Sequence, residues 1–357
     1  MKQLVRHLGR VDATNSYDIY LNLEDRDVFT SELPKNFSVI PLCFGNRPAR
    51  LFFQQAVLPV SSVIRGAHVV HSPSFVSPLA QLGRRQVLTV HDMTFFSLPD
   101  RHTPLRRSNA FRRLVLRSIS AAHSVLVPSV ATSDHIAEIL PERTRARTRI
   151  IPYGIGEEFF VREPDATTRE ARRLGLPPSY ILAVGTIEPR KNLGCLIDAY
   201  LKLVKEHSIA EHLVLAGRLG WDYEEILQKL EAPELRGRVH RPGFVLAGDL
   251  PWYYAAARLC VYPSQQEGFG FPPLEAMASG VPVISSLSSS LAENLAGAAE
   301  LVLPGDACGL ADAMHQMLIN PAKSAQAREA GLARAAEFSW TQTARRTREV
   351  YEAVAAE

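Results

Sequence analysis

Short β-rich runs alternate with helix-length amphipathic stretches along the chain, and this alternation restricts the fold more than any other feature. Strands joined by helices pair in parallel, because a parallel connection must return to the first end of the sheet. The predicted strands are 17–23, 37–42, 67–71, 86–91, 124–127, 149–152, 180–184, 212–216, 239–244, 259–262, 281–285 and 299–302. The sequence therefore predicts an α/β protein with helix-covered parallel sheets.

The chain is long enough for two domains, since 357 residues exceed the usual size of one. A polar, proline-containing stretch at 156–178 is interpreted as the linker between them. We predict an N-terminal domain at 1–165 and a C-terminal one at 166–338, each built on a parallel sheet. A terminal helix is expected at 339–357, where Ser339 is a candidate cap.

Composition excludes several classes of protein. Forty basic and 37 acidic side chains give a net charge of +3, too small to indicate a nucleic-acid partner. The four cysteines lack paired metal-ligand spacing, so neither a zinc site nor a disulfide framework is expected. The first residues lack a signal-peptide core and the apolar runs are only strand-length, which favours a cytoplasmic protein.

The most informative motif is the twelve-residue run EGFGFPPLEAMA that begins at Glu267. It follows a buried strand, and its glycines allow a ligand to approach the backbone before a helix begins. Backbone N–H groups at Phe269 and Gly270 could bind a diphosphate. Glu275 could chelate a ribose diol, and Glu267 could accept hydrogen bonds from sugar hydroxyls. Alternatively, Glu267 is a helix cap and Glu275 a solvated first-turn acid.

The run resembles the E-x7-E motif of retaining glycosyltransferases of family 4. This resemblance implies the GT-B fold of two facing Rossmann-like domains, a nucleoside diphosphate sugar as donor, and no metal or other cofactor. Likeness to bacterial polysaccharide mannosyltransferases favours GDP-mannose. The acceptor would be a hydroxyl of a glycan or lipid-linked glycan, as in polysaccharide or lipopolysaccharide synthesis.

A second candidate segment follows the strand at 180–184. Gly185 and Thr186 form a glycine turn, and Arg190 and Lys191 come shortly before the next helix. Cations at a helix start oppose the helix dipole, so an anionic ligand explains them better than solvation does. The segment resembles the V-G-x-x-x-x-R-K-N stretch of the family. There Arg190 and Lys191 occupy the phosphate-binding positions and would stabilise the leaving diphosphate.

His91 ends the strand at 86–91, at the edge where ligands of open α/β sheets bind. The segment His91-Asp92 to Phe95 resembles the H-D-x-x-F stretch of the family, which implies contact between His91 and the donor sugar across the interdomain cleft.

Weaker nucleotide-binding candidates lie at other strand ends, where ordinary turns are an equal alternative. They are Arg218, Phe244 and Val245.

Six arginines and no acidic residue fall within 101–117. They are interspersed with apolar residues at helical spacing, so this segment could contact anionic lipid at the inner face of the membrane. A solvated helix face is the alternative.

The beginning of the chain departs from the family pattern. Family members open with a β-strand and a glycine-rich loop, whereas residues 1–9 here are predicted to form the first helix. We therefore expect the first strand of the N-terminal domain and its loop to be missing. At common element lengths this missing part would be roughly 20 to 35 residues long. The terminal helix would cross back onto the N-terminal domain, as in the family.

Two other functions remain open from the sequence. A sugar-nucleotide epimerase can share the two-domain fold and would need no acceptor. A non-catalytic member lacking its first strand would act as a scaffold.

Overall fold

The computed structural model describes residues 1–24, 29, 33–102 and 108–357. Two compact units divide them. The first unit consists of the described residues of Met1–Met93, Leu105–Gly154 and Ser339–Glu357, and the second of those of Thr94–Pro104 and Ile155–Phe338. The boundary predicted near residue 165 falls inside the second unit.

Twelve strands are present in the described part of the chain, and each corresponds to a predicted one. They are β1 Tyr17–Asn22, β2 Phe37–Leu42, β3 Val69–Ser72, β4 Arg85–Thr89, β5 Ser124–Val127, β6 Thr148–Ile150, β7 Tyr180–Val184, β8 His212–Ala216, β9 Val239–Gly243, β10 Leu259–Tyr262, β11 Val283–Ser286 and β12 Glu300–Val302. Every pairing between them is parallel, as the alternation predicted.

Helices connect these strands. The α-helices are α1 Lys2–Val11, α2 Arg47–Phe52, α3 Leu58–Ile64, α4 Thr94–Ser97, α5 Asn109–Ala121, α6 Val130–Ile139, α7 Glu142–Arg145, α8 Pro164–Arg173, α9 Leu193–His207, α10 Glu224–Lys229, α11 Leu250–Ala255, α12 Phe271–Ala278, α13 Ser289–Asn294, α14 Ala307–Ile319, α15 Pro321–Ala336 and α16 Trp340–Ala356. A π-helical turn at Phe53–Val57 joins α2 to α3. None of the helices in the described residues has the length and apolarity needed to span a bilayer.

The second unit contains one six-stranded sheet in the order β12-β11-β10-β7-β8-β9. The chain thus adds strands outward from β7 on one side and then from β10 on the other, which is the doubly wound arrangement. Its four inner strands β7, β8, β10 and β11 are largely buried, and α9 and α14 pack on this part of the sheet. Their core contacts include Leu196, Tyr200 and Met314, none of which is exposed to solvent.

The first unit contains two parallel sheets in its described residues. One pairs β1 with β2, and the other has the order β3-β4-β5-β6. Asp12 follows the C-terminal end of α1. Its carboxylate accepts hydrogen bonds from Thr14 N and from the hydroxyl of Tyr17, 2.6 Å away. That network orients the chain as it leaves α1 and enters β1.

The terminal helix belongs to the first unit, where α16 packs against α1 and the four-stranded sheet. Val354 is buried against Val87, Leu126 and Ile151. The helix begins where the sequence predicted, with Ser339 at the N-cap position, but the Ser339 side chain makes no capping hydrogen bond.

The stretch interpreted as a linker is more ordered than predicted. It contains α8, with Pro164 in the first turn of the helix, where a missing N–H costs nothing. Arg173 forms ion pairs with Glu170 in the same helix and with Asp249. The prolines that suggested a linker therefore lie at the start of this helix and just before the start of β7.

The ends of β7 and β8 approach each other more closely than a side chain permits. A Cβ atom on Gly217 would lie 1.9 Å from the carbonyl oxygen of Gly185. Glycine is therefore required at 217 by the backbone of the neighbouring strand rather than by its own dihedral angles.

Replacement of Gly217 should destabilise the second unit. We expect Gly217→Ala to lower the free energy of unfolding by about 3 kcal/mol, because the backbone of β7 or β8 must shift. Differential scanning calorimetry should show a melting temperature lower by roughly 6 °C or more. Gly248→Ala is the matched control, since no atom lies within 4 Å of its added Cβ. Equal melting temperatures for the two variants would contradict the steric argument.

Candidate functional site

The candidate site lies at the carboxyl ends of β7 and β10, the two strands at the centre of the six-stranded sheet. The chain leaves β7 toward α9 on one face and leaves β10 toward α12 on the other, which opens a crevice at the switch point of the sheet. The loops that follow these strands contain most of the predicted site residues, including Arg190, Lys191 and Glu267.

The Glu267 carboxylate lies at the centre of this site and is only 12% exposed. Its Oε1 atom is 2.6 Å from Lys191 Nζ and 2.8 Å from Arg190 Nη1. The same oxygen accepts hydrogen bonds from the hydroxyls of Tyr262 at 2.9 Å and Ser264 at 2.6 Å. Four donors, from the loop after β7 and from the end of β10 and its following loop, thus converge on one oxygen. The Glu267 carboxylate therefore connects the loops after the two central strands.

The charge state of Glu267 depends on the two cations. Burial alone would raise its pKa, but the charges of Lys191 and Arg190 and their hydrogen bonds lower the pKa to about 2. Burial lowers the pKa of Lys191, and the Glu267 carboxylate opposes that shift. Glu267 is therefore an anion at physiological pH, and it offsets part of the positive charge beside it.

Arg190 also binds groups that no sequence motif indicated. Its Nη2 atom pairs with Glu188 at 2.8 Å, and Nη1 donates to the backbone oxygen of Gln266 at 2.9 Å. Its Nε atom is buried and has no hydrogen-bond partner in the structure. Glu188 is only 3% exposed, and burial raises its pKa against the opposing charges of Arg190 and Lys191. The guanidinium is thus fixed in orientation with one donor unused.

Asn192 follows the two cations at the start of α9. Its backbone adopts a left-handed conformation with φ of 54°, which asparagine tolerates better than most residues. Its side-chain Nδ2 is also buried without a partner. Sequence reasoning did not assign Asn192 a role, although it belongs to the R-K-N stretch.

Gly185 and Thr186 lie between β7 and the cations. Gly185 has a φ of 148°, and a Cβ there would be 3.6 Å from Lys191 Cε. Both residues line a small pocket together with Lys191 and Tyr262. The structure therefore brings Gly185 and Thr186 to the same strand end as the charged cluster.

The glycine loop after Glu267 is shaped by close packing. Gly270 has a φ of 92°, and a Cβ at this position would clash with Leu291 at 2.5 Å. The Phe269 ring is 4% exposed and packs on the rings of Phe271 and Phe338. Any contact of Phe269 with a ligand would therefore come from its backbone, as predicted.

Two prolines follow the first residue of helix α12. Phe271 is that first residue, so Pro272 and Pro273 occupy the second and third positions. Neither proline has an N–H group. The anion-binding capacity of this helix start is therefore smaller than that of an ordinary helix, which places more weight on Arg190 and Lys191.

Two serines at the start of α13 bind the backbone of the loop at Glu267. Ser289 Oγ accepts a hydrogen bond from Glu267 N at 3.0 Å, and Ser290 Oγ donates to Glu267 O at 2.9 Å. The run of serines at 288–290 gave no family signal. A polar run directly after a buried strand could still have indicated a role at the sheet edge.

Glu275 has a different environment from Glu267. It lies one turn into α12, where its Oε2 accepts a hydrogen bond from the hydroxyl of buried Tyr254 at 2.9 Å. Burial raises the pKa of Glu275 to about 7, the bond from Tyr254 opposes this, and the charge of Glu158 adds to it. The alternative of a solvated first-turn acid does not fit this environment.

The weaker candidates lie at other strand ends of the second unit. Arg218 is exposed after β8, and its carbonyl oxygen accepts a hydrogen bond from Ile187 N. Phe244 is 69% exposed and Val245 half-buried, directly after β9 and the left-handed Gly243. None of these three side chains takes part in the charged cluster around Glu267.

His91 belongs to the first unit, just after β4. Its Nδ1 atom is 2.6 Å from the Tyr153 hydroxyl, and its Nε2 atom is 2.8 Å from the carbonyl oxygen of Pro73. Both ring nitrogens are thus engaged within the unit.

The Arg-rich segment 101–117 is only partly described. Arg106 and Arg107 lie outside the described residues, whereas Arg113 and Arg117 are exposed on α5.

The fold and this site place the protein in the class of doubly wound α/β enzymes. Among solved structures, it is similar to sucrose-phosphate synthase from Thermosynechococcus elongatus, with a TM-score of 0.79 and 22% identity over 99% of this chain and 92% of that one. HepE from Anabaena, solved with UDP and glucose, has a TM-score of 0.75 and 19% identity over 99% and 95%. These similarities confirm the predicted GT-B fold.

Sequence relatives identify the family. Residues 178–320 match the description "Glycosyl transferases group 1". The O-antigen chain mannosyltransferase B of Escherichia coli is 32% identical over 80% of this chain and 74% of its own length. The serotype-specific mannosyltransferase WbdA of Escherichia coli is 28% identical over 93% of this chain. The matched region is 42% of the length of WbdA. The chain belongs to the group 1 glycosyltransferase family and is a hexosyltransferase.

The raised pKa of Glu275 predicts a pH-dependent stability. Between roughly pH 4.5 and 7 the folded protein keeps a proton that the unfolded chain has lost, so stability falls as pH rises through this window. We expect Glu275→Gln to remove this loss and to be more stable than the wild type above pH 7, by up to about 3 kcal/mol. Near pH 4.5 the difference should vanish.

Melting temperatures measured across this pH range would check the expectation. Glu300→Gln is the control, because Glu300 is partly exposed and paired with Lys323. A wild type and Glu275→Gln variant with parallel pH profiles would show that Glu275 is ionised throughout.

Proposed function

We propose that this hexosyltransferase transfers a mannosyl group from GDP-mannose to a hydroxyl of a glycan or lipid-linked glycan, with retention of the anomeric configuration. The observation that carries the proposal is the Glu267 carboxylate, bound by Lys191 and Arg190 at the switch point of a doubly wound sheet. Such a site offers both cations for a diphosphate and a fixed carboxylate for sugar hydroxyls.

In the proposed step, the bond between the sugar anomeric carbon and the diphosphate oxygen breaks, and its electron pair stays with the diphosphate. The acceptor hydroxyl oxygen forms the new bond on the same face of the sugar, and its proton passes to the leaving phosphate. Lys191 and Arg190 stabilise the charge that grows on that phosphate. They supply this charge without a metal or other cofactor.

The remaining residues have positioning roles in this proposal. Glu267 and His91 hold the transferred sugar, and Glu275 binds the ribose hydroxyls. Gly185, Thr186, Phe269 and Gly270 bind the diphosphate through the backbone. Arg218, Phe244 and Val245 contact the nucleotide.

Mannose is favoured as the sugar because several relatives are named as mannosyltransferases, two of them for the O-antigen chain. HepE, whose structure contains UDP and glucose, supports a nucleotide sugar as donor without indicating the base. The epimerase and the non-catalytic scaffold are not favoured, since the family is one of glycosyltransferases.

The proposal also includes a location. The enzyme acts in the cytoplasm, and the arginines of 101–117 contact anionic lipid at the inner face of the membrane. The exposure of Arg113 and Arg117 on α5 supports this contact.

Removal of one cation should weaken diphosphate binding selectively. We expect Lys191→Ala to reduce affinity for GDP roughly tenfold to a hundredfold, the equivalent of one charged hydrogen bond, and to change affinity for guanosine little. Isothermal titration calorimetry with both ligands would measure this. Lys229→Ala is the control, because Lys229 is exposed and paired with Asp198. Equal losses for GDP and guanosine would contradict the assignment.

The reaction itself can be tested with the carboxylate removed. We expect the wild type to release GDP from GDP-mannose in the presence of a glycan acceptor, equally well with a chelator, and to form an α-mannosidic product detectable by NMR. Glu267→Gln should lower turnover by roughly a hundredfold while GDP affinity changes severalfold at most. Turnover of UDP-glucose instead would overturn the donor, and an inverted product would overturn retention.

A further inference from the structure

The helical segment from Arg47 to Ile64, here called the outer helix, has polar side chains toward the protein and apolar side chains toward solvent. It comprises α2, the π turn and α3. Its two glutamines face the protein: Gln54 Nε2 donates to Val76 O at 2.6 Å, and Gln55 Nε2 donates to Ser77 O at 2.9 Å. Surface helices normally direct such polar side chains to water.

The apolar side chains of the outer helix face solvent instead. Phe52 is 66% exposed, Val60 49% and Ile64 80%. Leu51, Val57 and Val63 are also exposed. Isolated exposed apolar residues are ordinary, but six on one eighteen-residue segment form a continuous patch that indicates a partner.

The π turn helps to align this patch. Leu58 N donates to Phe53 O, five residues back, and Pro59 has no N–H to donate. In an α-helix, side chains four residues apart drift around the helix axis, because one turn has only 3.6 residues. The π turn contains more residues and therefore reduces this drift. Phe52, Ala56, Val60 and Ile64 therefore recur along one side of the segment.

The charge around the outer helix is strongly positive. Residues 33–93, which belong to the first unit, contain six basic side chains and one acidic one, whereas the whole chain has a net charge of only +3. Arg47 and Arg50 are exposed on the outer helix itself, and Arg84 Nη2 lies 3.5 Å from Val63 O. The patch is thus bordered by guanidinium groups.

Helix α5 continues this basic border. The loop bound by the outer helix also contacts α5, since Ser77 N donates to Ser118 Oγ at 3.2 Å. Exposed Leu79 and Leu82 belong to the same loop region, and Arg113 and Arg117 are exposed on α5. Apolar and basic surfaces therefore adjoin within the first unit.

We propose that the outer helix inserts its apolar side into the headgroup region of an anionic bilayer. The inference deepens the proposed membrane contact, which it extends from attraction by arginines to burial of Phe52 and Ile64. Aliphatic side chains bordered by arginines suit acyl chains beneath phosphate headgroups. The outer helix has no charged side chain between Phe52 and Ile64 and has arginines at its border, an arrangement that matches acyl chains below a layer of anionic headgroups.

The test uses the full chain and vesicles of phosphatidylcholine alone or mixed equally with phosphatidylglycerol. We expect Phe52→Ser/Ile64→Ser to bind the mixed vesicles about tenfold more weakly than the wild type in a sedimentation assay. Leu303→Ser/Ile319→Ser is the matched control, because both side chains are exposed in the second unit, and it should bind like the wild type. Phe52→Trp should show fluorescence quenched by brominated lipid.

Further variants separate this inference from the proposed function. Loss of binding by Arg113→Gln/Arg117→Gln with full binding by Phe52→Ser/Ile64→Ser would overturn insertion and leave the charge contact. Wild-type vesicle binding by both variants would overturn insertion and assign the patch to an acidic protein surface. Affinity for GDP, measured on the same samples, should stay unchanged in the outer-helix variant, so failure of the donor site would be recognised separately.

Discussion

The attraction between the Glu267 carboxylate and two cations is the interaction on which the site depends. Lys191 and Arg190 follow β7, whereas Glu267 follows β10, so their contact closes the switch point of the sheet from both sides. Without Glu267 the two cations would be buried side by side with only Glu188 to balance them, which is costly in a low dielectric. The same arrangement prepares an anion site, because the guanidinium and ammonium groups are held in place before a ligand arrives.

The two glutamates of one motif show how surroundings assign chemical roles. Glu267 and Glu275 lie eight positions apart, yet the pKa is about 2 for the first and about 7 for the second. Cations lower the one, and burial beside Tyr254 raises the other. A carboxylate that stays ionised suits permanent pairing with cations and sugar hydroxyls. One that titrates near neutrality can respond to the arrival of hydroxyl donors by losing its proton.

Local patterns in the sequence were enough to predict the strands, because buried parallel strands are apolar runs with clear boundaries, whereas the doubly wound order was implied by the family resemblance. The charged cluster was only partly predictable. Arg190, Lys191 and Glu267 carried family motifs, but Tyr262 and Ser289 entered the site through strand register and loop packing, which no spacing reveals. Helix α8 was missed because its prolines indicate a break as readily as a helix start. The outward apolar side of the outer helix was also missed, since amphipathic periodicity does not tell which side faces the core.

The position of α16 has a consequence for how the protein is made. Val354 covers Val87, Leu126 and Ile151, and Tyr351 contacts His71 at 2.6 Å, so the core of the first unit includes residues from the last helix of the chain. A ribosome releases the whole second unit before that helix. During synthesis the second unit can fold first, while the first unit waits with an exposed apolar surface on its sheet. Chaperone binding to the nascent chain should therefore concentrate on the earlier part of the sequence.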